Sequence, residues 1–419
     1  MVSTMPSTKE REILRRPAQR VREIADDPSM PQRKQRWFDL NALRPQRPMV
    51  LAFPEGAWGE LVPTSLCECE QPELARWEHH LLKQVYWWEH LRDDHVIEPV
   101  FPVGHAIRIG GYGVDVPHHR AEDAGSYVWD PPIQDIARDM EKLHFREVSV
   151  DHAESQKWFE IACDLFGDVL EVEMTCQPWW TMGLTWEAAK LIGLEQLMMA
   201  MYDDPAGLHQ LMGWLRDEHM HLITTVESMG VLDVQNRFHY TGSGGVAYTD
   251  ELPQPDHEPG TAARLRDLWG FAESQETVGI SPEMFAEFVI PYQVPLLEKF
   301  GLNCYGCCEP VHQRLKIILE NVPRLRRISA SPWVDQRVFK DAVGDRYIFS
   351  RKPNPTLVCS MFDEQQIRND LRQTLEIAGD GPLEIIMKDT HTVQNQPWRL
   401  SRWIELALEE VDRYAGATA

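Results

Sequence analysis

Residues 280–310 read ISPEMFAEFVIPYQVPLLEKFGLNCYGCCEP. The serine–proline pair at 281–282 marks a helix start, because proline is tolerated in the first turn of a helix. Apolar residues then recur at helical spacing, which predicts a helix over 282–300, followed by a short buried strand over 302–305. A polar loop, 306–310, comes directly after the strand. This order of helix, strand and polar loop is typical of a parallel α/β fold.

The same alternation extends in both directions from this stretch. Further strands are predicted at 147–150, 169–174, 232–238, 326–330, 347–350 and 383–387, with longer helical patterns between them. No glycine-rich phosphate turn opens a helix after the first of these strands, which favours a barrel over an open dinucleotide-binding sheet. We therefore predict an α/β fold, a TIM-type (β/α)8 barrel over 145–419, preceded by a mainly helical N-terminal cap over 1–144.

Charge and composition restrict the partners and the compartment. The net charge of −23 opposes binding to nucleic acid or to anionic lipid, and no apolar run reaches the ~20 residues of a membrane span. The first residues, MVSTMPSTKEREILRR, lack the apolar segment of a secretory signal. We expect a cytoplasmic protein whose eight cysteines are reduced, and the sequence leaves open a homo-oligomer.

Two adjacent cysteines follow the strand at 302–305. Thiolates bind zinc well, and a catalytic zinc takes about three protein ligands and keeps one position open. Neighbouring residues on a strand point to opposite faces, so Cys307 and Cys308 can bind one ion only where the backbone has left strand geometry, for which Gly306 and Pro310 provide the means. The alternative is that these thiols are simply buried.

A second polar cluster, KDTHT at 388–392, follows the apolar strand at 383–387. We predict that His391 is a third metal ligand beside Cys307 and Cys308, with Asp389 or a carbonyl group orienting its ring. An ordinary loop histidine is the alternative.

Other candidate residues lie where a barrel would place its active site. We predict that His239 contacts substrate, transfers protons or binds metal, and that Glu273 and Glu309 are catalytic carboxylates or additional metal ligands. Trp179 and Trp180 are predicted to line a cofactor-binding pocket, since aromatic rings also suit quaternary ammonium groups. A structural histidine, a solvated acidic loop and tryptophans packed in the core or cap are the respective alternatives.

Three segments resemble the uroporphyrinogen decarboxylase-like superfamily. They are LTWEAAKLIGLEQLMMAMYDDPAGLHQLM at 184–212, the opening stretch at 280–310, and IIMKDTHTVQNQPWRLSRWIELALEEV at 385–411. The resemblance extends over about 145–415 and implies a TIM-type barrel. Its cofactor-free decarboxylases carry an arginine-rich N-terminal segment that has no counterpart in this chain.

The other branch of the superfamily transfers methyl groups to or from corrinoid proteins, coenzyme M or homocysteine. Its members bind zinc through a His-x-Cys pair after one strand and a cysteine after the last strand. On that pattern Cys307 matches the first cysteine, Tyr305 stands in the place of the histidine, and Asp389, Thr390 and His391 lie near the place of the last cysteine. This chain therefore departs from the pattern at two of three ligands.

The resemblance implies a zinc-dependent methyltransferase that moves a methyl group between a small substrate and a thiol or corrinoid carrier. Its predicted cofactor is Zn2+, and its predicted partners are a small methyl donor or acceptor and a corrinoid protein. The alternatives are a cofactor-free decarboxylase or lyase of the same fold, and a non-catalytic protein that binds metal or corrinoid.

Overall fold

A computed structural model describes residues 5–120 and 127–418 of the chain. Its strands are β1 Met49–Ala52, β2 Val100–Gly104, β3 Ile107–Ile109, β4 His118–Arg120, β5 Tyr127–Trp129, β6 Val148–Val150, β7 Glu171–Thr175, β8 Tyr240–Thr241, β9 Gly245–Val246, β10 Trp269–Ala272, β11 Leu302–Tyr305, β12 Leu325–Ala330, β13 Ile348–Arg351 and β14 Leu383–Met387. Its helices are α1 Thr8–Ala25, α2 Met30–Asn41, α3 Trp58–Leu61, α4 Pro72–Tyr86, α5 Ile136–Asp139, α6 His152–Phe166, α7 Thr185–Ile192, α8 Leu194–Asp203, α9 Pro205–Ser228, α10 Pro282–Phe288, α11 Ile290–Leu297, α12 Leu315–Asn321, α13 Gln336–Val343, α14 Thr356–Cys359, α15 Glu364–Ala378 and α16 Trp398–Thr418.

The centre of the molecule is a six-stranded parallel sheet in the order β1-β14-β13-β12-β11-β10. Every residue of β1, β10, β11, β13 and β14 is buried, as expected of a parallel sheet that is covered on both faces. The first strand of the chain pairs with the last, Val50 opposite Ile385, so the two ends of the strand series meet.

Two further parallel strands, β2 and β7, form a separate pair. The α/β class and a parallel sheet are thus confirmed, while closure of the sheet into an eight-stranded barrel is not seen among the described residues. The predicted strand at 147–150 exists as β6, but it pairs antiparallel with β3 outside the central sheet. The predicted strand at 232–238 is an irregular segment.

The central sheet contains strands from both the predicted cap and the predicted barrel segment. Strand β1 lies inside the predicted cap, yet four of its residues pair with β14. The division at residue 144 therefore does not coincide with an edge of the sheet. The MVLA run of β1 is only four residues long and has prolines on both sides, so the sequence pattern does not indicate a strand there.

Helix starts agree with the sequence patterns, whereas one helix is interrupted. Ser281 caps α10 through Met284 N, with Pro282 in the first turn. The predicted helix over 282–300 is divided into α10 and α11 at Val289. Pro291 explains the division, because it has no N–H to bond the carbonyl group of Glu287, four residues earlier, and its ring clashes with that carbonyl group.

The loops that follow the carboxyl ends of the parallel strands are called the rim below, and the candidate site lies there. In the described part of the chain, none of the helices is both long and apolar enough to cross a membrane.

Candidate functional site

Two rim loops that are far apart in sequence come into contact. Lys388 Nζ, directly after β14, lies 3.5 Å from Cys307 Sγ, which follows β11. Strands β12 and β13 separate these two strands in the sheet. On a flat sheet with strands about 4.8 Å apart, β11 and β14 would lie about 14 Å from each other. Contact between their loops therefore indicates that the sheet is strongly curved at the rim.

The thiol pair, Cys307 and Cys308, has its sulfur atoms 3.6 Å apart. Gly306 makes this possible, because its φ of +89° is in the left-handed region and takes the chain out of strand geometry. A Cβ atom at Gly306 would lie 2.9 Å from Val311 Cγ1, so the position also lacks room for a side chain. The predicted departure from strand geometry at Gly306 is observed.

The surroundings of Cys307 favour its thiolate form. The contact with Cys308 lowers the pKa of Cys307 to about 7, and the Lys388 ammonium acts in the same direction against the effect of burial. Ser243 donates a hydrogen bond to Cys307 Sγ at 3.3 Å. Since the same sulfur contact and burial raise the pKa of Cys308, the pair holds one thiolate and one thiol near neutral pH.

Next to the thiol pair is a donor triad formed by Glu55, Asp389 and His391, whose ligand atoms lie within 4.8 Å of one another. Glu55 follows β1, so three rim loops meet at this point. Glu55 and Asp389 have φ values of +48° and +56°. Left-handed backbone at non-glycine residues costs free energy and often occurs at functional sites.

Cys308 connects the thiol pair to the donor triad, since its Sγ lies 3.5 Å from Asp389 Oδ2. Across residues 5–120 and 127–418, the donor triad is the one group of three or more such side chains that converges this closely. Cys307, Cys308 and His391, the ligands predicted from sequence, do not themselves form such a group.

The donor types and spacing fit zinc. A tetrahedral zinc with bonds of about 2.3 Å holds two sulfur atoms about 3.8 Å apart, close to the 3.6 Å between Cys307 and Cys308. Thiolate, imidazole and carboxylate are the ligands that zinc takes in proteins. Cys307 and Cys308, with a donor from Asp389, His391 or Glu55, are the residues that would hold the ion.

The two predicted catalytic glutamates, Glu273 and Glu309, lie next to the thiol pair. Glu309 is 1% exposed and accepts hydrogen bonds from Ser274 N at 3.0 Å and Cys307 N at 2.8 Å, so its carboxylate holds the loop in position. Glu273 is fully buried, and burial together with Glu276 and Glu309 raises its pKa well above the ordinary value. The raised pKa favours the protonated form of Glu273, which suits a structural carboxyl group better than a base.

His239 lines the histidine cavity, a space of about 370 Å3 that also contacts His80, His95 and Tyr240. Its Nε2 lies 3.9 Å from Asp233 Oδ2, and burial lowers the pKa of its ring. Trp179 and Trp180 line a neighbouring cavity of about 390 Å3, which also contacts Tyr240. Trp180 is 47% exposed, so this second cavity opens to solvent.

The segment His239–Ser243 links these cavities to the thiol pair. Tyr240 belongs to both cavities, and its pKa responds to Lys388 and Cys307 after the dominant effect of burial, which raises it. Three residues later Ser243 reaches Cys307 in the turn between β8 and β9. The Gly242–Gly245 cluster forms the hairpin turn that carries Ser243.

Sequence reasoning missed Lys388, Ser243 and Glu55 as neighbours of the thiol pair. Glu55 could have been found from the MVLA run that precedes it, had that run been read as a buried strand. Nothing in the sequence pattern links Ser243 or Lys388 to Cys307.

No protein-family model and no curated protein matches the chain. Among solved structures, the chain resembles a methyltransferase from Methanosarcina mazei with a TM-score of 0.51 and 10% sequence identity. The similarity covers 91% of this chain and 98% of the other. At this level of identity the likeness shows a shared fold, and it extends over the whole of the neighbour.

Proposed function

We propose that the chain is a zinc-dependent methyltransferase of the uroporphyrinogen decarboxylase-like superfamily, built on a (β/α)8 barrel. It moves a methyl group between a small substrate and a thiol or corrinoid carrier. Three features support the barrel: β1 pairs with β14, β2 and β7 add two parallel strands, and the rim loops meet across the sheet.

The observation that carries the proposal is the thiol pair at the rim, with the donor triad joined to it through Cys308 and Asp389. Structural thiols are usually isolated in apolar surroundings and inert. Cys307 instead contacts a lysine, a second thiol and a serine hydroxyl, all of which act on its charge.

A bound zinc would supply the positive charge that activates a thiol or polarises the heteroatom of a substrate. In the transfer itself the bond from the methyl carbon to the donor atom breaks, the donor keeps the electron pair, and the carrier's nucleophilic atom forms the new bond. Lys388 and Ser243 hold the charge of Cys307, and Glu309 fixes the backbone of its loop. Tyr240 is half-buried, lines both cavities and lies close enough to Lys388 and Cys307 for their charges to act on its pKa.

Exposed apolar side chains on the rim support a protein carrier. Trp333, Met361 and Trp398 are 67%, 71% and 52% exposed, and they follow β12, β13 and β14 respectively. Exposed large apolar side chains are typical of protein interfaces. A corrinoid is held by its own protein, which would dock at the rim.

Metal analysis of the purified protein tests the proposal. We expect about one zinc per chain in the wild type. Cys307→Ser and His391→Ala should weaken zinc binding at least about tenfold, because each removes a ligand, and methyl transfer should fall with it.

Cys163→Ser is the matched control, since Cys163 is exposed on α6, and it should keep the zinc. Equal zinc in the wild type and in both ligand variants would contradict the proposed centre. A protein that is free of zinc yet decarboxylates a substrate would favour the cofactor-free alternative.

A further inference from the structure

The histidine cavity has charged and aromatic walls that the proposed methyl transfer does not by itself explain. Its lining includes the carboxylates Glu98, Glu173 and Asp233, and the rings of Trp87 and Phe238. Its volume of about 370 Å3 is sufficient for a small organic molecule. The balance of charge among these groups decides which ligand would bind.

Two of the three carboxylates are already neutralised. Glu98 Oε1 lies 2.9 Å from Lys34 Nζ, and Glu173 forms an ion pair with Arg237. Asp233 differs from both. In the described part of the chain no lysine or arginine lies within ion-pair distance of Asp233, and its nearest basic partner is His239 Nε2 at 3.9 Å.

The histidines of the cavity do not supply the missing charge. Burial lowers the pKa of His80 to about 4, and it also lowers the pKa values of His95 and His239. All three rings are therefore neutral near pH 7 and offer no positive charge to the Asp233 carboxyl group, whose pKa burial raises. Such a group inside a cavity favours a ligand that brings its own positive charge.

A second and independent feature points to a ligand at the same wall. His95 is 6% exposed and stacks on Trp87, with 3.9 Å between the ring centroids. Its Nδ1 is buried and has no hydrogen-bond partner among the described atoms. A buried polar atom at the wall of a cavity is a place where a ligand group forms a hydrogen bond.

We propose that the histidine cavity binds the methyl donor as a methylated ammonium compound, with its cationic nitrogen against Asp233. The role of this compound as a methyl donor rests on the proposed function, whereas its binding in the cavity does not. Aromatic walls suit such a cation as well, because ring faces attract it. On transfer the carbon–nitrogen bond breaks, the nitrogen keeps the electron pair, and the carrier gains the methyl group. The nitrogen leaves as an uncharged amine, which then takes up a proton from solvent at neutral pH.

Calorimetric titration with choline and with its uncharged isostere 3,3-dimethyl-1-butanol tests the inference. The two probes have the same shape and hydroxyl group and differ in charge. Choline should bind at least about tenfold more tightly to the wild type. Equal affinity, no detectable binding of choline, or tighter binding of the alcohol would overturn the inference, and none of these results depends on a variant.

Variants then test the assignment to Asp233. Asp233→Asn keeps the oxygen that accepts from Cys176 N and removes the charge, so the preference for choline should disappear. Asp233→Glu should retain it. Glu171→Gln, a control that removes a 64% exposed carboxylate beside the same Arg237, should also retain it. A full preference in Asp233→Asn would show that the cation lies elsewhere.

The same titration separates this inference from the proposed function. Cys307→Ser should bind choline as the wild type does, because Cys307 is not part of the cavity wall. Choline preference without any zinc would contradict the zinc centre alone. Zinc binding and methyl transfer without choline preference would contradict the cation site alone.

Discussion

Two buried lysines follow neighbouring strands of the sheet and differ in their surroundings. Lys352 comes after β13 and is 3% exposed, and Lys388 comes after β14 and is 5% exposed. Burial lowers the pKa of Lys352 to about 7. For Lys388 burial acts in the same direction, but the combined attraction of Cys307, Tyr240, Cys308 and Asp389 outweighs it and raises the pKa. Burial alone therefore does not determine the charge of a lysine here; the groups around its ammonium also contribute.

The regions around the two lysines differ in the same way. Lys352 belongs to an inner network, formed with Ser350, Glu384, Arg327 and Asn41, in which each member contacts another. All five are at most 4% exposed. Lys388 faces the half-buried Cys308 and Asp389 at the rim. The inner network is removed from solvent and serves stability, while the rim leaves polar groups available to a ligand.

The largest expected effect is on the inner network. Arg327 Nε lies 2.9 Å from Glu384 Oε1, and both side chains are almost fully buried. Arg327→Leu leaves the Glu384 charge uncompensated, so the free energy of unfolding should fall by about 3–5 kcal/mol. Urea denaturation measures this.

The neighbouring arginine provides the control. Arg326 pairs with Glu251, which is 49% exposed. Arg326→Leu should cost only about 1–2 kcal/mol, because it loses an exposed ion pair and a hydrogen bond to the Asn41 carbonyl oxygen but leaves no buried charge uncompensated. Equal losses in the two variants would show that the inner network is not what distinguishes the two regions.

An intermediate effect is expected from pH. Lys352 has a folded pKa of about 7, below its ordinary value of 10.5, so between these values the unfolded chain binds more protons. Stability therefore rises with pH in this window, by at most about 1.4 kcal/mol per unit from this group. Lys352→Met should lack this contribution. Denaturation at pH 7 and pH 9 compares the two proteins, and identical pH dependence would contradict a neutral buried lysine.

The smallest effect is expected at the rim. Lys388→Met removes the ammonium beside Cys307, so the pKa of Cys307 should rise from about 7 towards its ordinary 9.0. In protein stripped of metal, alkylation of Cys307 at pH 7 should slow by roughly threefold or more, because the thiolate is the reactive form.

Lys340→Met is the control for alkylation, since Lys340 pairs with the exposed Asp345 on another surface. Its rate should equal that of the wild type. An unchanged rate in Lys388→Met would mean that Cys308 and Ser243 alone set the charge of Cys307.

Local patterns were sufficient for most of the sheet and for the position of the thiols. Strands β11 to β14 were predicted within one residue of their bounds, since each is a compact apolar run after a helix. The bend at Gly306 was also predictable, because glycine readily adopts the left-handed backbone conformation that takes a chain out of strand geometry. Strands β1, β2 and β10 were missed; β1 and β2 pair with strands that are distant in sequence, and no local pattern marks β10.

The amino-acid order thus specifies the alternating elements, the acidic surface and the loop that carries Cys307 and Cys308, because these depend on residues within a few positions of one another. Which groups surround the thiols depends instead on the pairing of β1 with β14 and on the curvature of the sheet. Lys388 and Ser243 lie 81 and 64 positions from Cys307, and Glu55 lies on yet another loop. Their meeting is a property of the folded sheet, since no local pattern encodes contacts between loops that only the strand order brings together.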